Sequence, residues 1–410
     1  MDTAVLEAKE QTQAVHDVME IERQYLLQTY ARFPIVLEKG KGVFVQDVNG
    51  KKYLDMIAGI GVNALGYAHP RIVKAVRDQV AKLTHISNLY FNQYQGPLAK
   101  KLVELSGLPR VFFSNTGTEA IDGAIKFARA HGHKIGGDAK YKLVAATNSF
   151  HGRTYGGMSL TATPKYRDDF KPLLDGVTFV SLNDTEALRN AVNDETCAVF
   201  LETIQGEGGI FECSNEYLHE ARQICNQHRA ALVLDEIQCG FGRTGEIFAF
   251  KQTGVMPDIL TLAKPIAGGL PLGAILLTEE IASALSAGKH GTTFGGGPLA
   301  CRVALEFLSV LEEDHLLEHV RKVGAYFHGE LTNLRDNLSI VKEVRGRGLM
   351  LALDLNVPSR PYVDFALEQG VLFNSTHETT IRMLPPLIIE EKHVDKAVKT
   401  LKKVLKKKLK

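Results

Sequence analysis

The sequence predicts an α/β fold: a seven-stranded, mainly parallel sheet in a large domain, with a smaller α+β domain built from both chain ends. Three observations carry this. Seven short, nearly continuous apolar runs fill the middle of the chain, helical patterns separate most of them, and the flanking segments switch to hairpin-like and mixed patterns. Apolar strands alternating with helices imply a sheet covered on both faces.

Taken in order, residues 10–30 read as a helix. Residues 33–56 carry a hairpin pattern with Asn49-Gly50 as its turn. The seven strands are expected at Val111–Ser114, Leu143–Thr147, Val177–Ser181, Ala198–Glu202, Ala231–Asp235, Ile259–Ala263 and Leu272–Leu277. Thr118–His131, Asp184–Val192 and Asn215–His228 read as helices between them, and residues 151–175 as a longer irregular segment. Leu272–Leu277 follows Lys264 by too short a connection for a crossover helix, so it is expected to run antiparallel. A long helix near 298–314 leads to strands near Ile340–Val344, Leu349–Leu355 and Thr380–Met383. The expected divisions are 1–65 for an N-terminal segment joining the small domain, 66–297 for the large domain and 298–410 for the C-terminal α+β part.

With 410 residues, 45% of them hydrophobic and 23% charged, the chain can bury a large core. Lys+Arg 48 against Asp+Glu 47 gives a net charge of +1, so no global field draws the protein to nucleic acid or an acidic membrane. Cys197, Cys213, Cys225, Cys239 and Cys301 are scattered, with no Cys-x-x-Cys pair. That argues against a disulfide framework or a zinc site and fits a reducing, cytoplasmic setting. The first residues have neither the basic nor the apolar region of a secretory signal, and no run approaches the roughly 18 apolar residues of a membrane span. The basic tail (Lys402, Lys403, Lys406, Lys407, Lys408, Lys410) places Leu401, Val404, Leu405 and Leu409 on one helical face. It reads as a terminal helix with a solvated outer face, the alternative being a membrane or nucleic-acid tail.

Lys264 is the most informative residue. It ends the apolar run Asp258-Ile-Leu-Thr-Leu-Ala and precedes Pro265-Ile-Ala-Gly-Gly. At such a junction an ammonium is partly desolvated, its pKa falls, and a free amine becomes available for Schiff-base chemistry. The bland alternative is a lysine that has left the sheet and reached water. Ligands of open α/β sheets bind beyond the carboxyl ends of the strands, and polar groups recur there. Ser114-Asn-Thr-Gly117-Thr118, Ser149-Phe150-His-Gly-Arg153, Glu202 with Gln205-Gly-Glu207-Gly-Gly, and Asp235-Glu236-Ile237-Gln238 all follow different strands. Gly117 and Thr118 open a helix whose start suits a phosphate, or else form an ordinary helix start capped by Thr118. Asp235 ends an apolar strand and needs a partner: a protonated ring nitrogen, a lysine or a magnesium ion. The magnesium reading wants a Walker loop, and none is present. Phe150 can stack on a flat ring or be a core aromatic. Phosphate cradle, stacking aromatic, carboxylate and amine together complement pyridoxal 5′-phosphate; no metal is implied.

Through Asn115-Thr-Gly-Thr-Glu-Ala, Phe150-His-Gly-Arg-Thr, Gln205-Gly-Glu-Gly-Gly, Asp235-Glu-Ile-Gln and Thr292-Thr-Phe-Gly-Gly, the chain resembles the class III aminotransferases of the fold-type-I pyridoxal-phosphate group. Ala58-Gly-Ile-Gly-Val-Asn-Ala-Leu-Gly is similar to the acetylornithine branch. The resemblance spans nearly the whole chain, from Tyr30-Ala-Arg-Phe-Pro to Arg382-Met-Leu-Pro-Pro-Leu. It implies transfer of the δ-amino group of N2-acetylornithine to 2-oxoglutarate, a step of arginine biosynthesis, by a homodimer with shared sites. Related substrates of the family are 4-aminobutyrate, succinylornithine, ornithine and carrier-linked lysine. Residue by residue, it implies that Lys264 bonds the cofactor aldehyde, Asp235 pairs with the ring nitrogen, and Gln238 lies near the ring oxygen. Gly117 and Thr118 hold the phosphate together with Thr293 of a neighbouring subunit, while Phe150, Glu236 and Ile237 complete the cofactor contacts. Arg153 binds a substrate carboxylate and Thr292 lies at the substrate entrance. Arg382 binds the α-carboxylate of 2-oxoglutarate or glutamate, and Glu207 neutralises Arg382 when the other substrate is bound. Gly297, Thr203 and Pro265-Ile266-Ala267 depart from the usual pattern. Ornithine-specific relatives tend to carry a tyrosine near the position of Ile60, so Ile60 favours an acylated donor.

Overall fold

A computed structural model describes residues 15–407. Its centre is a seven-stranded sheet whose members are β1 (Arg110–Ser114), β2 (Lys142–Ala146), β3 (Val177–Val180), β4 (Thr196–Glu202), β5 (Ala231–Asp235), β6 (Ile259–Leu262) and β7 (Gly273–Leu277). The spatial order is β1-β7-β6-β5-β4-β2-β3. The pairs β2–β3, β2–β4, β4–β5 and β5–β6 are parallel, and β7 is antiparallel to both its neighbours. All seven expected strands are present, and the antiparallel one is the strand too close to Lys264 to follow a crossover helix.

Alternation along the strands decides the layers. Val144, Val199, Leu201, Leu232, Leu234 and Leu260 enter one apolar cluster, while Leu143, Ala198, Phe200, Ala231, Val233 and Ile259 enter the other. Side chains of successive strand residues point to opposite faces, so both faces are apolar and both are covered. Helix α1 (Gly117–Gly136) lies on the second face with Ala120, Ile121, Ala124, Phe127 and Ala128 buried. Its close approach depends on small residues: a Cβ at Gly123 would meet Ile275 Cδ1 at 2.3 Å, and one at Gly132 would meet the Lys140 carbonyl oxygen at 2.3 Å.

Outside the large sheet, Leu37–Lys41, Phe44–Asp47 and Lys52–Asp55 form an antiparallel meander, and Lys52–Asp55 pairs in parallel with Val371–Leu372. The Asn49-Gly50 turn closes on a Gly50 N–H donated to the Asp47 carbonyl at 3.0 Å, with Gly50 at φ 80°. A second sheet joins Val341–Arg347, Met350–Leu355, Thr380–Met383 and Asn374–Thr376, all antiparallel. The helix expected over 10–30 is shorter: residues 15–25 are helical, residues 26–30 are not, and residues 10–14 lie outside the described part. The last helix, Glu391–Leu405, buries Leu401, Val404 and Leu405, while Lys402, Lys403, Lys406 and Lys407 face solvent. Lys408, Leu409 and Lys410 lie outside the described residues. All five cysteines are buried and unpaired, and among the described residues no helix is long and apolar enough to cross a membrane.

Candidate active site

The carboxyl ends of β1, β2, β4, β5 and β6 open onto one cavity of about 420 Å³. Gly117, Thr118, Phe150, Arg153, Glu207, Asp235, Ile237, Gln238 and Lys264 all line it. Five strand ends that are far apart in sequence thus converge.

Lys264 sits two residues beyond β6, in the left-handed region at φ 46°. Burial pushes its amine down to about 8, so a far larger share is neutral near physiological pH than for an ordinary lysine at 10.5. Asp235 is 5% exposed. One of its oxygens accepts the Ile237 N–H at 3.0 Å, and the other lies 2.8 Å from His151 Nδ1. Burial alone would lower the His151 pKa, but the hydrogen bond and charge of Asp235 outweigh it and the net shift is upward. His151 is the backing group that the sequence reading placed in the site without giving it a role. Its signal was the buried carboxylate at the end of β5, which demands a partner.

At the start of α1, Thr116, not Thr118, caps the helix: its side chain accepts the Glu119 N–H at 3.2 Å. The Thr118 hydroxyl is free to serve the neighbouring loop, accepting the Arg153 and Thr154 N–H groups at 3.1 and 3.2 Å. Gly152 is required there, because a Cβ would lie 2.1 Å from Thr118 Oγ1. A Cβ on Gly117 would likewise meet Ile237 Cγ2 at 2.8 Å.

Arg382 is 1% exposed. It donates to Glu207 Oε1 at 2.5 Å, the Gly206 carbonyl at 3.1 Å, Gln238 Oε1 at 3.3 Å and Asn374 Oδ1 at 2.7 Å. Burial would raise the Glu207 pKa, but Arg382 reverses this and holds it below the ordinary carboxyl value. The Arg153 guanidinium, which also lines the cavity, stands 3.7 Å from the Tyr166 ring centroid and 5.6 Å from that of Phe150.

Four expected residues do not line this cavity: Glu236, Thr292, Thr293 and Arg382, the last reaching it through Glu207 and Gln238. The Glu236 carboxylate turns away from it and accepts the Ala249 and Phe250 N–H groups at 2.7 and 2.6 Å and the Thr203 hydroxyl at 3.2 Å. Alternation along the chain that leaves β5 sends the Asp235 side chain inward and the Glu236 side chain to the loop behind. Thr292 accepts a hydrogen bond from Asn115 Nδ2 at 3.0 Å at the margin of the site. Thr293 is exposed on the same chain. Glu202, Asn374 and Thr116 are site residues without a role in the sequence reading; Glu202 carried the same signal as Asp235, an acid ending an apolar strand.

The cavity fits an aldehyde cofactor with a phosphate and a protonated ring. It offers a buried amine of depressed pKa and a buried carboxylate with a histidine behind it. Glycine-lined loops admit backbone closely at the phosphate end, and the first-turn amides of α1 lack intrahelical partners. This defines a pyridoxal-phosphate site on an α/β sheet.

The chain belongs to the class III aminotransferases, whose family model matches residues 25–405. It is 49% identical to the acetylornithine aminotransferase of Methanocaldococcus jannaschii, covering 94% of this chain and 97% of that one. It is 45% identical to the acetylornithine aminotransferase of Aquifex aeolicus, over 93% and 100%. Among solved structures, the ornithine aminotransferase of Toxoplasma gondii superposes with a TM-score of 0.91 at 34% identity, covering 95% of this chain and 94% of that one. The acetylornithine aminotransferase of Elizabethkingia anophelis gives 0.85 at 31%, covering 95% and 98%. The protein is a pyridoxal-phosphate-dependent aminotransferase.

Proposed function

We propose that this enzyme transfers the δ-amino group of N2-acetylornithine to 2-oxoglutarate. The observation that carries the reading is the pairing of two carboxylate receptors around one buried amine. Arg153 lines the cavity with Lys264, and Arg382 reaches it behind Glu207, a removable counter-ion that lines it too. Bound pyridoxal phosphate supplies an aldehyde carbon that takes up the amino group and a protonated ring that accepts the electron pair released at the substrate carbon. Lys264, neutral in part because it is buried, removes the proton from Cδ of the donor. Asp235, steadied by His151, keeps a proton on the ring nitrogen. Arg153 orients the donor through its α-carboxylate. Glu207 covers Arg382 while the donor, which brings no second carboxylate, occupies the site. A dicarboxylate then displaces Glu207 and takes its place on Arg382.

The donor preference rests on what surrounds the α-substituent. Free ornithine would carry an ammonium near Arg153, which is costly to desolvate without a polar partner. Ile60 offers none; it is 39% exposed beside Val62, which lines the cavity. Ornithine is the second reading, supported by the overlap with solved ornithine aminotransferases. A half-reaction screen over N2-acetylornithine, ornithine, succinylornithine and 4-aminobutyrate, followed by the cofactor absorbance, separates them.

The same reading includes a homodimer that shares its sites and resides in the cytoplasm. Its support is an apolar surface beside the cavity: Leu89, Tyr90, Phe91 and Phe294 are 84%, 68%, 103% and 64% exposed. Thr293 adjoins Phe294 in this surface, so the shared phosphate contact that the resemblance implies requires a second copy seated here. Sedimentation equilibrium tests the assembly, and buried unpaired cysteines suit the reducing compartment.

A further inference from the structure

The mechanism above leaves one buried acid of the cavity unused. Glu202 closes β4, a strand buried at every one of its seven positions, and lies in register with Asp235 on β5. Its two oxygens do different things. Oε1 accepts the Phe150 N–H at 2.9 Å, and Oε2 accepts the Gly206 N–H at 2.9 Å. Phe150 begins the loop that ends in Arg153. Gly206 precedes Glu207, and its own carbonyl accepts from Arg382 at 3.1 Å. Gly206 is itself boxed in, since a Cβ there would lie 2.3–2.7 Å from the Gln238 amide.

We propose that Glu202 is a positioning residue that ties the donor-side loop to the acceptor-side loop, so that one buried carboxylate sets both carboxylate receptors. The proposal rests on the aminotransferase reading. Two N–H donors facing one side chain need two acceptor oxygens, which only an ionised carboxylate provides; a glutamine offers one oxygen and turns an NH₂ against the other donor. The titratable groups that act on Glu202 are His151, Asp235, Lys264, Cys213 and Cys239. Burial lifts its carboxyl to about 7, with His151 opposing and Asp235 adding to the rise. As pH falls through that value, an O–H replaces one acceptor, one end of the tether is released and the two loops are no longer held to each other.

Two measurements test this. In protein freed of cofactor, Glu202→Ala should speed amide exchange about tenfold or more at both Phe150 and Gly206, the scale of one lost charge-assisted hydrogen bond. Exchange in the core of β6 should stay unchanged. In the loaded enzyme, Glu202→Ala should weaken both N2-acetylornithine and 2-oxoglutarate by about tenfold or more in single-turnover titrations, and Glu202→Gln, which keeps one acceptor but cannot titrate, should flatten their dependence on pH near 7. Unaltered exchange at either amide, loss confined to one substrate, or an unchanged pH profile would each overturn the proposal. If the alanine variant does not fold, exchange in the glutamine variant decides, and protection kept at both amides overturns it. A wild-type enzyme that ignores N2-acetylornithine while both amides respond as stated would sink the substrate reading and uphold the tether.

Discussion

Glu207→Ala isolates the counter-ion of Arg382. Breaking a buried pair by removing one partner costs ~3–5 kcal/mol when the remaining charge is left uncompensated. Arg382 is 1% exposed, but Asn374 at 2.7 Å, Gly206 at 3.1 Å and Gln238 at 3.3 Å still accept from it. The Glu207 side chain is 27% exposed, which weakens its share. The loss therefore falls below that range, about 2 kcal/mol, or roughly thirtyfold. An acylated donor brings no carboxylate to Arg382, so the donor half-reaction should bear all of it. 2-Oxoglutarate supplies its own carboxylate and no longer competes with Glu207, so its half-reaction should hold or improve. Rapid mixing of each substrate with the matching cofactor form, read by absorbance, measures both. Equal loss in the two halves would refute the reasoning. The pH sign follows from the lowered Glu207 pKa. The stability from the pair is complete above the unfolded value of 4.5 and is lost as pH falls through the lower folded value. The stability gap between wild type and variant should therefore close only in acid.

Lys264→Ala should abolish turnover, and borohydride reduction of the loaded wild type followed by peptide mapping should label Lys264; a label on another lysine contradicts the site. Because burial holds Lys264 near 8, covalent capture of the cofactor by cofactor-free protein should accelerate as pH rises through about 8, and a flat profile would count against a neutral-amine requirement. Asp235→Asn should still bind cofactor yet transaminate slower by a factor worth about 3 kcal/mol, with near-normal single-turnover rates showing that it does not serve the ring. Gly152→Ala should weaken cofactor binding in equilibrium dialysis, since its methyl would press on Thr118 Oγ1 at φ 130°; an unchanged Kd would remove Thr118 from the phosphate end.

Much of this was legible because the large sheet obeys simple rules. Both of its faces are buried, so its strands read as continuous apolar runs, and an acid or lysine at the end of such a run stands out. Asp235 and Lys264 were visible for that reason, and Glu202 carried the same mark. The partners were not visible. His151 meets Asp235 across 84 residues, and Asn374 meets Arg382 across a hairpin. Such pairings depend on which strands adjoin, and periodicity does not encode that. The Glu236 side chain faces away from Asp235 because neighbours in a motif can face opposite ways. The helix over 10–30 was overextended because its apolar residues, Val18, Ile21 and Tyr25, are all exposed on this chain at 41%, 58% and 74%, and amphipathicity alone does not say where such a helix stops.

Backbone strain gathers at the same cavity. Residues 58–61 form a left-handed turn, with Ala58 at φ 50°, Gly59 at 64°, Ile60 at 63° and Gly61 at 81°. A β-branched residue such as Ile60 is an outlier there, and such positions cost ~1–3 kcal/mol each unless the surroundings enforce them. Asp55 supplies part of the enforcement. It is 2% exposed, accepts the Ile57 and Ala58 N–H groups at 2.8 and 3.0 Å, and takes the Tyr67 hydroxyl at 2.5 Å. The turn delivers Val62 to the cavity wall beside the loop Gly269–Leu272, which also lines it. Lys264, at φ 46°, is strained in the same sense and lines the same cavity. The reactive amine and the apolar wall facing the substrate thus both sit on backbone that relaxed strands would not provide. Rigid covered sheet beneath and buried hydrogen-bonded acids at the margins hold that backbone in place.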